Sequence, residues 1–225
     1  MGQWEAAIDD FNGALALEPR FGAALHGLAA AELKQRNWAS AETAASRAIA
    51  LYEDDARRAP GEALLAQVFS AQSRWAEALD AWSRALKSPN PEVDWYLGQA
   101  ACLGELGQFD HQVEALANAM RRNPSGVLHR AWIRAMVDAG QLDAAMAEIE
   151  KGLSDARWQS TWLLLRARVY ATRGDREHQY ADAARALAEL QGRINADRPE
   201  PWLVAECGIA QALSNNTEGA RAYEK

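Results

Sequence analysis

A period of about 34 residues runs through this 225-residue chain and limits what it can fold into. An anchor position, aromatic in its first four copies, recurs at spacings of 34, 37, 34, 33 and 34 residues. Its copies are Trp4, Trp38, Trp75, Phe109, Leu142 and Arg176. Ten residues after every copy stands a small residue, and the next residue is large and apolar. Self-similarity at this period is typical of arrays in which one supersecondary unit stacks on the next.

Each period has the pattern of two helices separated by a turn. Apolar residues three, four and seven apart, as in 7–15 and 78–86, indicate amphipathic helices. Gly107, Gly140 and Gly174 stand two residues before an anchor, where a left-handed residue would end the first helix. Prolines are expected at the other boundary, between repeats, because proline is tolerated at a helix start. These are Pro19, Pro60, Pro91, Pro124 and Pro199.

The pattern resembles the tetratricopeptide repeat, a 34-residue helix-turn-helix unit. The segments that carry the resemblance include 2–11 and Leu106-Gly107-Gln108-Phe109. The resemblance implies an all-α solenoid, a right-handed superhelix of about six repeats. It implies a single array over residues 1–225, in which the terminal repeats are incomplete. The sequence departs from the family pattern at the positions that hold Arg36, Ser73, Glu32 and Arg176.

Two joints break the period, near residues 52–60 and 190–200. About three residues are added at the first, which predicts one more helical turn. At the second we expect one long helix, Asp175 to Asn195, then a short connection and a last helix from near Thr217.

Both ends fall inside the repeat pattern, which suggests a piece of a longer protein. The helix face with Ile8, Phe11 and Leu15 is then expected to be partly exposed, and the last helix near Tyr223 to fray. Self-association through the terminal helices would follow, because a missing neighbour leaves apolar surface bare.

The charge and composition of the chain limit the classes of function that it can have. The net charge of −7 disfavours nucleic acid as a partner, including the RNA bound by pentatricopeptide-type repeats. The sequence has no run of 18 apolar residues, so membrane insertion is not expected. Residues 1–10 lack the basic start and apolar stretch of a secretory signal, and the cytoplasm is the default location. The two cysteines, Cys102 and Cys207, are interpreted as buried structural thiols.

No motif in the chain indicates catalysis, a cofactor or a metal. The four histidines have no further ligands at metal spacing, and the pair His111 and Glu114 is too small for a site. Phosphate-binding loops and nucleophile elbows are missing from the sequence. The prediction is a chain that is not an enzyme and takes no cofactor.

The resemblance implies a scaffold that binds a protein or peptide partner in a groove lined by the first helices. The alternative is an interaction module of a larger enzyme or regulator whose catalytic part lies outside this chain. The family's carboxylate clamp uses Lys and Asn, whereas His26, Ala30, Ala63 and Gln67 occupy those offsets, so that clamp is not expected.

The groove positions of the later repeats hold cations instead. We predict a partner site made of Arg130, Arg134, Arg168 and Trp202. Guanidinium groups grip carboxylates in a bidentate way, which favours an acidic peptide, and the indole would offer a flat apolar platform. Leu164 is expected to face the same groove.

Overall fold

The computed structural model describes residues 2–194 and 200–214, and these ranges hold twelve α-helices joined by short turns, with no strand. In chain order they are α1 (Gly2–Leu17), α2 (Gly22–Lys34), α3 (Trp38–Ile49), α4 (Asp55–Ala71), α5 (Trp75–Ala85), α6 (Val93–Glu105), α7 (Phe109–Arg122), α8 (Gly126–Asp138), α9 (Leu142–Asp155), α10 (Ser160–Arg173), α11 (Arg176–Gln191) and α12 (Pro201–Leu213). The predicted all-α helix-turn-helix repeat is therefore confirmed. Every anchor from Trp38 onward is the first residue of an odd-numbered helix.

The chain divides into two compact units, unit 1 (Met1–Ala131) and unit 2 (Trp132–Lys225), and the boundary falls inside α8. In unit 1 each helix from α1 to α6 packs on the next one, and α4 also contacts α2 and α6. In unit 2 the same pattern recurs, since α10 contacts α9, α11 and α12. We call the even-numbered helices first helices and the odd-numbered ones second helices. Within each unit the first helices therefore stack directly on one another.

The turns between paired helices share one backbone geometry. Gly107, Gly140 and Gly174 have φ values of +69°, +74° and +75°, and the predicted left-handed residue is confirmed there. Arg36 and Ser73, which depart from glycine, take the same conformation with φ of +61° and +58°. In all five turns the next residue donates its N–H to the carbonyl five residues earlier, at 2.8–2.9 Å. This bond closes the first helix, and the donating residue is the N-cap of the second.

Small residues let the paired helices approach closely. Ala78 and Ala85 on α5 are buried. The alanines at the same offsets in other second helices are buried too, namely Ala41 and Ala48 on α3 and Ala186 on α11. Glycine serves the same purpose opposite a ring, because a Cβ on Gly98 would lie 2.4 Å from Cε2 of Trp82. The small-then-large pattern of the sequence thus packs the helices against each other.

Three buried acidic side chains have partners. Glu62 on α4 accepts a hydrogen bond from Nε of Arg84 on α5 at 2.8 Å. Asp182 on α11 receives two hydrogen bonds from Arg166 on α10. The third, Glu32, stands where the repeat pattern has an apolar residue, and Nδ2 of Asn37 donates to its carboxylate at 2.6 Å. Each charge is buried with a donor, as a low-dielectric interior requires.

Both irregular joints take a definite form. The added residues near 52–60 lie at the start of α4, which has 17 residues where α2 and α6 have 13. The carboxylate of Asp54 caps this helix by accepting the N–H of Arg57 at 2.9 Å. Pro60 lies inside α4, so its prediction at a helix boundary is wrong, because the extra turn moved the boundary back.

The long helix predicted from Asp175 to Asn195 is shorter. Asp175 caps α11, and the pKa of its carboxyl is lowered, first by the hydrogen bond from the N–H of His178. The helix ends at Gln191, because Gly192 follows and has low helix propensity. Asn195, Pro199, Thr217 and Tyr223 lie outside the described residues.

The face of α1 that was expected to be partly exposed is buried in part. Leu15 is buried, whereas Ile8 and Phe11 are only partly buried where they pack against the core that α2 shares. The ring of Phe11 lies where a Cβ on Gly27 of α2 would fall, which shows how closely α2 covers this face. α2 thus covers much of the apolar surface from which self-association was predicted, and self-association stays a prediction.

Candidate functional site

The first helices of unit 2 carry exposed cations and an exposed indole. α10 and α12 pack side by side, and Oγ1 of Thr161 donates to Oε1 of Glu206 across them at 3.1 Å. Arg168 on α10 and Ile209 on α12 are exposed on these helices. We call the exposed side of the unit 2 part of α8, of α10 and of α12 the unit 2 surface.

Arg168 is held by one carboxylate. Its Nη2 lies 2.7 Å from Oδ1 of Asp138 on α8, and both side chains are partly exposed. A solvent-exposed pair of this kind contributes about 0–1 kcal/mol, so an incoming carboxylate can compete with Asp138 at little cost. Arg134 stands one helical turn before Asp138 and is exposed. No ion pair to Arg134 is found among the residues described in unit 2.

Trp202 belongs to a different group of contacts. It is 46% exposed and lies at the start of α12, where its Nε1 donates to the carboxylate of Glu200. The guanidinium of Arg193 lies 5.2 Å from the Trp202 ring centre and 4.7 Å from that of Trp158, which is 49% exposed. Two half-exposed indoles therefore flank one cation, at distances typical of cation–π contacts.

Glu189 connects this aromatic group to the end of α10. Its carboxylate accepts the N–H of Gln159 at 3.0 Å and that of Ser160 at 3.1 Å. Those two donors belong to the first turn of α10, which has no side-chain cap of its own. Nη1 of Arg193 lies 3.8 Å from the same carboxylate. The indole–cation group is thus fixed to the helix end by charge-assisted contacts.

The four residues of the predicted site divide into separate groups. Arg168 pairs with Asp138, and Arg134 stands one helical turn before Asp138 on α8. Trp202 contacts Glu200 and Arg193 instead. Arg130 is half-buried and lies in the part of α8 that belongs to unit 1.

Two other expected groove residues are buried. Ala63 and Leu164 are 3% and 7% exposed, so neither is available to a partner. The contacts of Trp158 and Arg193 were not predicted at all. Both residues lie in connections between helices, where the 34-residue period gives no signal.

A shallow cleft in unit 1 holds the pair that the sequence singled out. His111 and Glu114 line a cavity of about 350 Å³ together with Tyr96 and Arg122. Across 2–194 and 200–214, no group of three or more His, Cys, Asp or Glu side chains could hold a metal ion. Both cysteines are free and buried, as interpreted, and burial raises the pKa of each thiol. Among the described helices, none has the length and apolar character needed to cross a membrane.

Comparison with known proteins gives the fold a name. No protein-family model and no curated protein matches the chain. Among solved structures, YrrB, a TPR protein with an unusual peptide-binding site, is similar at 16% identity and a TM-score of 0.60, over 95% of this chain and 97% of that one. PilW, a widely conserved type IV pilus biogenesis factor, is similar at 22% identity and a TM-score of 0.64, over 85% of this chain and 91% of that one.

A third likeness has the highest superposition score of the three. The C-terminal part of a TPR repeat-containing protein from Cytophaga hutchinsonii has 12% identity and a TM-score of 0.68, over 98% of this chain and 88% of that one. Identities this low carry information about architecture only. With the period, the five left-handed turns and the stacked first helices, they show that this chain has the tetratricopeptide-repeat fold.

Proposed function

We propose that the chain is a non-catalytic scaffold that binds an acidic peptide segment of a protein partner on the unit 2 surface. The observation that carries the proposal is the exposed ion pair of Arg168 with Asp138, with exposed Arg134 one helical turn before Asp138. These are exposed cations in a chain whose net charge is −7. The peptide-binding site of YrrB supports a peptide as the class of ligand.

The binding step exchanges one carboxylate for another. A glutamate or aspartate of the peptide takes the place of Asp138 at Arg168 and uses the fork of donors that guanidinium offers. Arg134, one turn away, binds a second acidic residue. Trp202 and Ile209 on the neighbouring helix provide exposed apolar area for a hydrophobic residue of the same peptide.

The test is fluorescence anisotropy with two labelled peptides, one with four glutamates and a leucine, the other with glutamine at every glutamate. We expect the acidic peptide to bind and the neutral one to bind at least about ten-fold more weakly. Arg168→Ala should weaken the acidic peptide by about ten-fold, and higher salt should weaken it further.

Arg173→Ala is the matched control. Arg173 also lies on α10 and forms an ion pair, but its partner Asp143 is on the second helix α9. This variant should bind the acidic peptide like the wild type. Equal affinity for the two peptides, or equal losses in the two variants, would reject the proposed surface.

A further inference from the structure

Glu32 on α2 is a buried carboxylate, only 8% exposed. The equivalent position in the next three repeats holds a buried apolar residue, namely Phe69, Leu103 and Met136. Oε2 of Glu32 accepts from the neutral amide of Asn37 at 2.6 Å. Across 2–194 and 200–214, no cation pairs with this carboxylate, and its Oε1 has no hydrogen-bond partner. A buried charge is costly in this state, and a cation from outside the chain would compensate it.

The carboxylate lines a cleft of about 450 Å³ between α1 and α3. The cleft takes residues from three helices, namely Leu28 and Glu32 on α2, Asn12 on α1, and Ser40, Thr43 and Arg47 on α3. Where unit 1 is described, α2, α4 and α6 each pack on the two second helices beside them and on other first helices alone. The groove between α1 and α3 therefore has α2 as its floor and no other first helix in it. Asn12, Ser40 and Thr43 are exposed, so the cleft is open to a ligand.

The next groove along unit 1 shows that a cation fits at this place. Arg74 directly precedes its anchor, as Asn37 does in the repeat before. The Arg74 guanidinium lies 4.2 Å from the ring centre of Phe69, the counterpart of Glu32. Its Nη1 also lies 2.8 Å from Oε2 of Glu42 on α3. Asn37 is shorter and neutral, so the place that a cation takes beside Phe69 is left to a ligand beside Glu32.

The acceptors in the cleft suit an ammonium group, which has three N–H donors and no acceptor. Oε1 of Glu32 is one acceptor. Oγ1 of Thr43 is another, because it donates its own hydrogen to the carbonyl of Ala39 at 2.8 Å and keeps its lone pairs. The exposed side chain of Asn12 adds an amide oxygen. Leu28 lies one turn from Glu32 on the floor of the cleft, where an aliphatic stem gains apolar contact.

The one arginine that lines the cleft lies away from Glu32. Asn37, the donor to Glu32, directly precedes α3, whereas Arg47 stands ten residues later, about 15 Å along the helix. Nη2 of Arg47 donates to the carbonyl of Pro19 at 3.3 Å, and the side chain is exposed. Water therefore screens its repulsion of a cation bound at Glu32.

We propose that this cleft, called here the Glu32 cleft, binds a primary ammonium group on an aliphatic stem. A lysine side chain and a free alkylamine both carry this group. The ammonium donates to Oε1 of Glu32 and to Oγ1 of Thr43, and the stem lies along Leu28. The Glu32 cleft belongs to unit 1, so the proposal stands apart from peptide binding on the unit 2 surface.

The test is an NMR titration of the full 225-residue chain, followed through the amide resonances of Ser40 and Thr43. The probes are Nα-acetyl-lysine methylamide, n-butylamine and Nα-acetyl-norleucine methylamide, which keeps the stem and lacks the charge. We expect saturable shifts with both amines and none with the norleucine compound. Tighter binding of the lysine compound assigns the cleft to a lysine of a partner protein. Equal or tighter binding of n-butylamine assigns it to a free amine.

Three variants separate recognition from folding effects. Glu32→Gln keeps an acceptor for Asn37 and removes the charge, so it should weaken both amines at least about ten-fold. Glu32→Leu restores an apolar residue, so it should keep its helix content by circular dichroism and lose binding. Glu53→Gln is the matched control, since it removes the same charge from an exposed position between α3 and α4 and should bind like the wild type. Shifts that persist in Glu32→Gln, shifts that the norleucine compound also produces, or no saturable shift with either amine would overturn the proposal.

Discussion

Replacing the left-handed glycines Gly107, Gly140 and Gly174 by alanine, one at a time, tests the turn geometry on which the repeat depends. A Cβ added at any of the three meets nothing within 4 Å, so the cost is confined to the backbone. An L-residue in the left-handed conformation destabilises the folded chain by roughly 1–2 kcal/mol. Alanine also has less conformational entropy than glycine in the unfolded chain, which offsets roughly 0.4–1 kcal/mol of that loss. The expected net loss is about 0.5–1 kcal/mol for each variant.

The converse changes should have the opposite sign. Arg36→Gly and Ser73→Gly release side chains from the left-handed region and should stabilise the chain by about 0.5–1 kcal/mol each. Gly13→Ala is the matched control: its Cβ also meets nothing, but Gly13 lies inside α1. Alanine should stabilise there by roughly 0.5–1 kcal/mol, because glycine is a poor residue inside a helix.

Urea unfolding followed by circular dichroism at 222 nm measures these differences as shifts of the midpoint at constant slope. The urea midpoint should be lower than that of the wild type in the three Gly→Ala turn variants. It should be higher in Arg36→Gly, Ser73→Gly and Gly13→Ala. A turn glycine that accepts alanine without loss, or an Arg36→Gly variant that unfolds earlier, would refute the argument from backbone conformation.

Three further outcomes follow from the packing and the charges. Gly98→Ala places a methyl group 2.4 Å from the Trp82 ring, so the free energy of unfolding should fall by about 1–3 kcal/mol. An unchanged melting temperature would contradict this close contact. Arg166→Ala removes both hydrogen bonds to the buried carboxylate of Asp182 and leaves it only the longer ion pair with Arg185 at 3.9 Å, so the free energy of unfolding should fall by up to about 3–5 kcal/mol. A double variant with Asp182→Ala should lose less, and equal losses would rule out the pairing with Arg166. The lowered pKa of Asp175 stabilises the fold above the ordinary carboxyl pKa, and this contribution is lost as the pH falls through the lowered value. Asp175→Asn should therefore flatten the decline of stability below about pH 4, and an identical decline in both proteins would exclude this contribution.

The repeat itself was predictable because its signals are local. A bulky anchor at a helix start, a small residue ten positions on and a glycine in the turn are each visible in the sequence. Arg36 and Ser73 show that the surrounding fold imposes the left-handed turn even without glycine. The hydrogen bond that satisfies Glu32 depends on where Asn37 lies in the folded turn, and the period could not foresee it.

Only part of the candidate site could be predicted from the sequence. The helical spacing correctly placed Arg134 and Arg168 on exposed positions. The spacing also placed Asp138 close to the arginines, but the distance of its contact with Arg168 on the next first helix depends on how the repeats stack. The partner of Trp202 was also hidden, because Arg193 lies in a connection between helices, and such connections follow no period.

The central claim is that two guanidinium groups on the unit 2 surface select an acidic peptide, and a reversal of charge tests it most directly. Anisotropy should be measured for the Arg134→Glu, Arg168→Glu double variant with the glutamate peptide and with a lysine version of the same peptide. The wild type should prefer the glutamate peptide and the double variant the lysine peptide, and salt should reduce both preferences. A folded double variant that still prefers the glutamate peptide would contradict it.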